Sequence, residues 1–274
     1  MKKKLRTAAI CVAAIVFLGS GAMVLYQQLQ YRAASETYAE AEEMAGVPDL
    51  SGLSPLPPAS WPEEPSALPE EDHSEIPAEE PVWVDPYADA LAAMDFAALQ
   101  EVNSDVLGWI LIPGTPVSYP LLQGEDNSEY LNKTWRGNRN SVGAIYLECK
   151  NSVDLSDFNT IIYGHRMRNR SMFGSLKDYA RQSYWESHPY VYITDSSGCR
   201  TYAIFAAYEV GVTEATYQLG GFDQEGRQAF LDFCTAQSVI ETGILPTTED
   251  HILTLSTCTG TGHEKRWVVQ AVQC

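Results

Sequence analysis

His251-Ile252-Leu253-Thr254-Leu255-Ser256-Thr257-Cys258 is a run of apolar and β-branched residues that stops on a cysteine. Arg266-Trp267-Val268-Val269-Gln270-Ala271-Val272 follows it after a short connection containing Gly260 and Gly262. Both runs have strand composition and the connection has turn composition, so the C-terminal end of the chain reads as two strands joined by a turn. Working back, further short runs rich in β-branched and aromatic residues occupy 108–112, 143–147, 160–163, 190–193 and 200–205. Pro113-Gly114, Gly137-Asn138 and Asp195-Ser196-Ser197-Gly198 separate them. Many short strands with such punctuation predict a mainly β fold, a barrel or a sandwich. One helix is expected late, from about Asp223 to Ile240, burying Phe230, Leu231, Phe233 and Cys234. One or two amphipathic helices between Asp85 and Leu107 open the domain, through Ala90, Leu91, Met94, Phe96, Leu99 and Val102. The folded domain is therefore expected over 86–274, without internal repeats.

The residues before it have a different composition. Lys2, Lys3, Lys4 and Arg6 (segment 1–6) precede an uncharged, mostly apolar run at 7–26. About 20 residues at roughly 1.5 Å each match a hydrocarbon core of about 30 Å, and the leading positive charge puts the N-terminus inside and the rest outside. The expectation is a single-pass anchor in the cell membrane with an extracytoplasmic domain. A cleaved secretory signal is the competing reading, though no clear small-x-small site follows the run; both export the remainder. Residues 27–85 are expected to be a polar helix, solvated and without a strong apolar stripe around 33–47, followed by an acidic stalk. Ten of the fifteen prolines fall between Pro48 and Pro86, a composition that favours extended polyproline II over a core. Trp61 and Trp83 in this stretch are candidates for docking.

The net charge of −18 belongs to this N-terminal half: no Lys or Arg occurs between Arg32 and Lys133, and from Lys133 onward 13 basic residues meet 15 acidic ones. Without a basic stripe, nucleic-acid binding is not expected. Cys11 lies in the apolar run, which leaves Cys149, Cys199, Cys234, Cys258 and Cys274 outside it. An odd exported set leaves at least one thiol free or paired between molecules. No CxxC, HExxH or clustered Cys/His spacing points to a metal, and no cofactor is implied.

Cys258, at a strand end ahead of a glycine-containing turn, is placed to be held rigidly and exposed; a buried structural cysteine is the plainer alternative. A reactive cysteine works as the thiolate and needs cations or donors beside it. Arg266 opens the next strand and supplies a fixed, always-charged fork if the two strands are neighbours. Protonating a leaving amine needs an acid, and the histidine candidates are His165, ending Ile161-Ile162-Tyr163-Gly164-His165 at a strand terminus, and His263 in the turn. His73 in the stalk, His188 before Pro189 and His251 at a strand start are less well placed.

With these residues in view, the sequence resembles the sortases, and specifically class B. Thr254-Leu255-Ser256-Thr257-Cys258 with an arginine opening the next strand resembles the nucleophile signature, and Tyr163-Gly164-His165 the histidine segment. Asn103-Ser104-Asp105-Val106-Leu107-Gly108-Trp109-Ile110, Tyr119-Pro120-Leu121-Leu122-Gln123 and Asp126-Asn127-Ser128-Glu129-Tyr130-Leu131 follow the order at the start of class B domains, and the late helix falls where that class carries one before the cysteine strand. The resemblance covers about 86–274. It implies an eight-stranded β-barrel with N-terminal helices, and a transpeptidase that moves exported proteins onto the Gram-positive cell envelope. By resemblance Cys258 attacks the carbonyl after the threonine of an LPxTG- or NPxTN-like sorting signal to give a thioester, which an amine of a peptidoglycan precursor or a pilin subunit resolves. His165 would be the acid and base and Arg266 would hold the carbonyl or oxyanion, with Asn127, Tyr163 and Ser256 at the groove. The Cys258–Arg266 connection is shorter and less acidic than in many class B relatives, which bears on the groove wall. A hydrolase acting on the same peptides and a catalytically idle surface module are the competing readings. An L,D-transpeptidase would need a histidine-containing cysteine motif that is not found here.

Overall fold

The computed structural model describes residues 2–53, 56–57, 85–258 and 264–274. Most of the expected stalk, with Trp61, Trp83 and His73, and the turn holding Gly260, Gly262 and His263 lie outside the described residues.

Eight strands close into a barrel in the order β1-β2-β3-β4-β7-β8-β6-β5. They are β1 (Val106–Leu111), β2 (Ser118–Leu122), β3 (Ile145–Leu147), β4 (Asn159–Tyr163), β5 (Tyr190–Asp195), β6 (Gly198–Gly211), β7 (Ile252–Cys258) and β8 (Lys265–Gln273). Seven coincide with the expected runs. The eighth, β2, contains Pro120, whose missing N–H argues against a strand. It is tolerated because the β3 ladder reaches β2 only at Leu121 and Leu122, leaving Pro120 no second partner to serve. Two pairings are parallel, β2 with β3 and β4 with β7. The second puts β7 between β4 and β8, and the site depends on it. The barrel is filled by Ile110, Leu121, Ile162, Ile204, Leu255 and Val269, all fully buried.

Four helices join the barrel to its surroundings. α2 (Pro86–Leu91) and α3 (Ala97–Val102) are the expected opening helices, with Val102 left exposed. Asp85 caps α2, its carboxylate accepting from the N–H groups of Tyr87 and Ala88 at 3.0 and 3.2 Å, and it also takes hydrogen bonds from Tyr192 and Thr201 of the barrel. α4 (Gln182–Ser187) precedes β5. α5 (Gln224–Gln237) starts at Asp223, whose side chain accepts from Gly226 N–H at 2.8 Å, and buries Phe230, Leu231 and Cys234 against the barrel.

The N-terminal segment departs from expectation. α1 (Lys2–Ala45) is one continuous helix. Its first part is long and apolar enough to cross a membrane and leaves Ile10, Phe17, Met23 and Leu25 bare. The part expected to be solvated is docked on the barrel. Ala34, Tyr38, Ala41 and Ala45 recur at helical spacing and are all buried. Three of the four are alanines, so the stripe is weak on any hydropathy scale, yet small side chains let the helix backbone approach closely. Polar contacts fix the register. Tyr38 donates to Gly143 O at 2.7 Å, Trp135 Nε1 to Thr37 O at 2.8 Å, Asn140 Nδ2 to Gln30 O at 3.1 Å, and Arg136 pairs with Glu40 through two nitrogens. The chain stays on the barrel beyond the helix: Leu50, Leu53 and Leu56 pack partly buried, and Tyr190 donates to Pro57 O at 3.2 Å. Among the described residues, 30–53 and 56–57 therefore pack with the barrel, and the expectation of a solvated helix leading into a stalk at Pro48 is corrected to this extent.

Candidate active site

The strand registers assemble the site. In the parallel β4–β7 pair Tyr163 lies opposite Ser256, so His165, two residues on, comes level with Cys258. In the antiparallel β7–β8 pair Cys258 lies opposite Arg266. One strand end thus collects an imidazole from one neighbour and a guanidinium from the other, and Cys258 and His165 are each the largest influence on the other's titration.

His165 is fixed on its far side. Leu131 O accepts from Nε2 at 2.7 Å, so Nε2 carries a proton and Nδ1 is the nitrogen left for the thiol. Leu131 closes a short 3₁₀ turn, Glu129–Leu131, entered through Asp126, whose carboxylate accepts from the N–H groups of Ser128 and Glu129. Gly143 closes the space behind the ring. With φ +68° it adopts a conformation that costs a glycine little, and a Cβ there would sit 2.8 Å from Leu131 O and 2.9 Å from His165 Cδ2.

The electrostatics follow from these contacts. The Cys258 thiol is held below its ordinary value, first by the hydrogen bond from His165, against a penalty from burial, and further by Arg266, His165 and Arg166 as nearby cations. His165 is raised, first by its bond to Cys258 and, against burial, by the bond to Leu131 O. The two shifts are one effect seen from both partners: their interaction stabilises the thiolate and the imidazolium together, relative to the same groups apart.

Cys258, His165 and Arg266 border a cleft of about 440 Å³ whose other walls include Leu131, Tyr146, Glu148, Tyr217 and Val212. All three expected groove residues line it. Asn127 and Tyr163 both donate to Glu148 Oε2, at 2.6 and 3.0 Å. Ser256 is buried beneath the cleft with its hydroxyl 2.8 Å from that of Tyr217, on a short turn after β6. Burial pushes Tyr217 up to about 12, so it stays protonated. A larger hollow of about 510 Å³ lies elsewhere, between residues 47–56 and the β1–β2 turn, and Cys258, His165 and Arg266 are not among its lining residues.

The sequence reading did not name Tyr146, Glu148 or Tyr217. The first two follow from alternation, since Tyr146 and Glu148 are two apart at the end of β3 and so share a face, and an acid ending an apolar strand is a legible oddity. Tyr217 carried no signal, because its place depends on the turn after β6.

Residues 110–274 match the model of the sortase domain family. The chain belongs to the sortase family. Two relatives are both sortase B. That of Staphylococcus aureus is 34% identical over 178 residues, 64% of this chain and 73% of its own. That of Listeria monocytogenes is 36% identical over 177 residues, 63% and 71%. The solved Staphylococcus aureus sortase B–substrate complex superimposes with a TM-score of 0.62 at 33% identity, covering 65% of this chain and 84% of that one. This sortase is thus of class B and a cysteine transpeptidase by family, and its closed barrel with an N-terminal helix is the architecture of those structures.

Proposed function

We propose that this sortase cleaves an LPxTG- or NPxTN-like sorting signal after its threonine, with Cys258 as nucleophile, His165 as acid and base and Arg266 as the electrostatic partner of the substrate oxygen. The observation that carries this reading is the strand register that brings His165 level with Cys258 and sets Arg266 directly across from it at one end of a cleft, with the Cys258 and His165 pKa shifts running in opposite directions.

The Cys258 thiolate attacks the threonine carbonyl carbon, and the carbonyl π electrons move onto oxygen, where Arg266 offsets the charge. Collapse of that intermediate breaks the C–N bond. The leaving amine takes its proton from the His165 imidazolium, which leaves a thioester and a neutral imidazole. An incoming amine, of a peptidoglycan precursor or a pilin, attacks the thioester, gives its proton to His165 and expels the thiolate, restoring the pair. One solved sortase B is a complex with triglycine, so this tripeptide is a suitable amine probe. Asn127, Tyr163 and Ser256 are assigned to the groove that holds the sorting peptide. The bare apolar part of α1 is assigned to the membrane, with the barrel outside, and because the same helix continues into the barrel face the catalytic domain is seated close to the bilayer.

The test is mass spectrometry of the full chain in detergent micelles with a panel of LPxTG-, PPxTG- and NPxTN-type peptides, with and without triglycine. An adduct on Cys258 that becomes an amide with triglycine, and is lost in Cys258→Ala, supports transpeptidation and names the motif. Release only as the free acid makes the protein a hydrolase. No adduct with any peptide, while Cys258 still alkylates, overturns the sorting-signal reading.

A further inference from the structure

Glu148 stands out among the cleft residues: it is 4% exposed, yet it lines a substrate-sized space. Its backbone is pinned from three sides. Its N–H donates to Ile161 O at 2.8 Å, and its carbonyl accepts from Asn151 N–H at 2.9 Å and from Gln123 Nε2 at 3.0 Å. Its side chain is equally committed. Oε2 accepts from Asn127 Nδ2 at 2.6 Å and from the Tyr163 hydroxyl at 3.0 Å, while Oε1 faces the Lys150 N–H at 3.3 Å and the Cys149 thiol at 3.4 Å. A carboxylate with four donors around it has no capacity left for a ligand. It is an anchor.

What it anchors is the direction of one amide. Asn127 Oδ1 accepts from the Cys149 N–H at 2.9 Å, and the adjacent Nδ2 donates to Glu148. A backbone N–H is only a donor, and Glu148 Oε2 already accepts from the Tyr163 hydroxyl, so a flipped Asn127 would set donor against donor and acceptor against acceptor. The second Nδ2–H has no acceptor among the described residues, and Asn127 is a wall of the cleft.

We propose that Glu148 is a positioning residue that locks Asn127 in one orientation, so that the cleft presents an N–H donor to an acceptor oxygen of the bound peptide. This deepens the function proposed above and rests on it. The wall selects a peptide carbonyl, or a side-chain oxygen, at that point and disfavours a donor. Glu148 itself touches neither the thiol nor the peptide.

The experiment uses the full chain in detergent micelles, the peptide that acylates Cys258 best, and triglycine; wild-type turnover establishes the underlying reading independently of the variants. Glu148→Gln offers one oxygen to both Asn127 and Tyr163 and is expected to keep the peptide KM within about twofold. Glu148→Ala is expected to raise that KM roughly tenfold, the scale of one lost substrate hydrogen bond, with kcat and the pH profile of Cys258 alkylation unchanged. Asn127→Ala is expected to do the same, and the double variant to be no worse than either single one. If Glu148→Ala does not fold, Glu148→Gln combined with Asn127→Asp decides the matter. That pair keeps the shape and the net charge but reverses the polarity, and it is expected to show the raised KM while melting like wild type. An unchanged KM in Glu148→Ala or in the reversed pair overturns the proposal, and so does a shifted alkylation profile, which would place Glu148 on the nucleophile instead.

Discussion

Replacing Tyr38 tests whether the second half of α1 is part of the catalytic unit. The ring is buried, meets Tyr119 edge-on with centroids 5.2 Å apart, and its hydroxyl donates to the buried carbonyl of Gly143 at 2.7 Å. Tyr38→Ala removes a large buried aromatic from the helix–barrel seam, a loss of about 3–5 kcal/mol in well-packed cores. Tyr38→Phe keeps the ring and strands only the Gly143 carbonyl, at a cost of about 1–3 kcal/mol. The remaining seam consists of alanines, the half-buried Tyr31 and Met44 and a few polar contacts, so the loss is expected to appear as local undocking of α1 before the barrel unfolds. Hydrogen exchange of the full chain in micelles reads this directly. Amides of residues 30–45 already protect themselves within a helix, so the informative probes are those of the partner loop, Val142 to Ala144, which α1 covers. They are expected to exchange faster in the order wild type, Tyr38→Phe, Tyr38→Ala, while the β7 and β8 amides are unaffected. Equal exchange of that loop in all three proteins would refute the docking argument. Because Gly143 also backs His165, a loss of turnover in parallel with the exchange would tie α1 to the His165 site.

Two further predictions concern the pair itself. Cys258 is lowered and His165 raised, so the thiolate grows in at a lower pH than for an ordinary thiol and His165 keeps its proton to a higher pH than an ordinary imidazole. Iodoacetamide alkylation should therefore have its midpoint below that of an ordinary thiol, about 8.5, and His165→Gln should move it upward; an unmoved midpoint would mean His165 does not hold the thiolate. In Gly143→Ala the new methyl meets Leu131 O at 2.8 Å and His165 Cδ2 at 2.9 Å on a backbone with positive φ. The variant is expected to lose about 1–3 kcal/mol of stability through strain and to carry a raised alkylation midpoint, measured by thermal melting and the same alkylation assay; wild-type behaviour in both would show that the ring does not depend on this glycine.

How far the sequence carries can be followed residue by residue. Cys258 and Arg266 were legible as neighbours because a short turn between two apolar runs makes an antiparallel pair by default, and opposite positions in that pair follow by counting. Their meeting with His165 was not, since it requires β4 to lie parallel to β7 across a long intervening stretch of chain, and no local signal states which strands of a barrel are adjacent. Composition identified the membrane-length apolar run and the late helix. It missed the docking of α1, because a stripe of alanines adds little to any hydropathy sum although it permits the closest backbone approach. Pro120 hid a strand whose position between partners made its missing donor harmless. Local periodicity and turn chemistry are properties of neighbouring residues, and the sequence alone determined what rests on them: strands, helices and a cysteine at a strand end. The tertiary structure alone decided which strand lies beside which, that Glu148 holds Asn127 and Tyr163, and that the helix carrying the apolar run is also packed on the barrel, because those facts are set by packing between segments far apart in the chain.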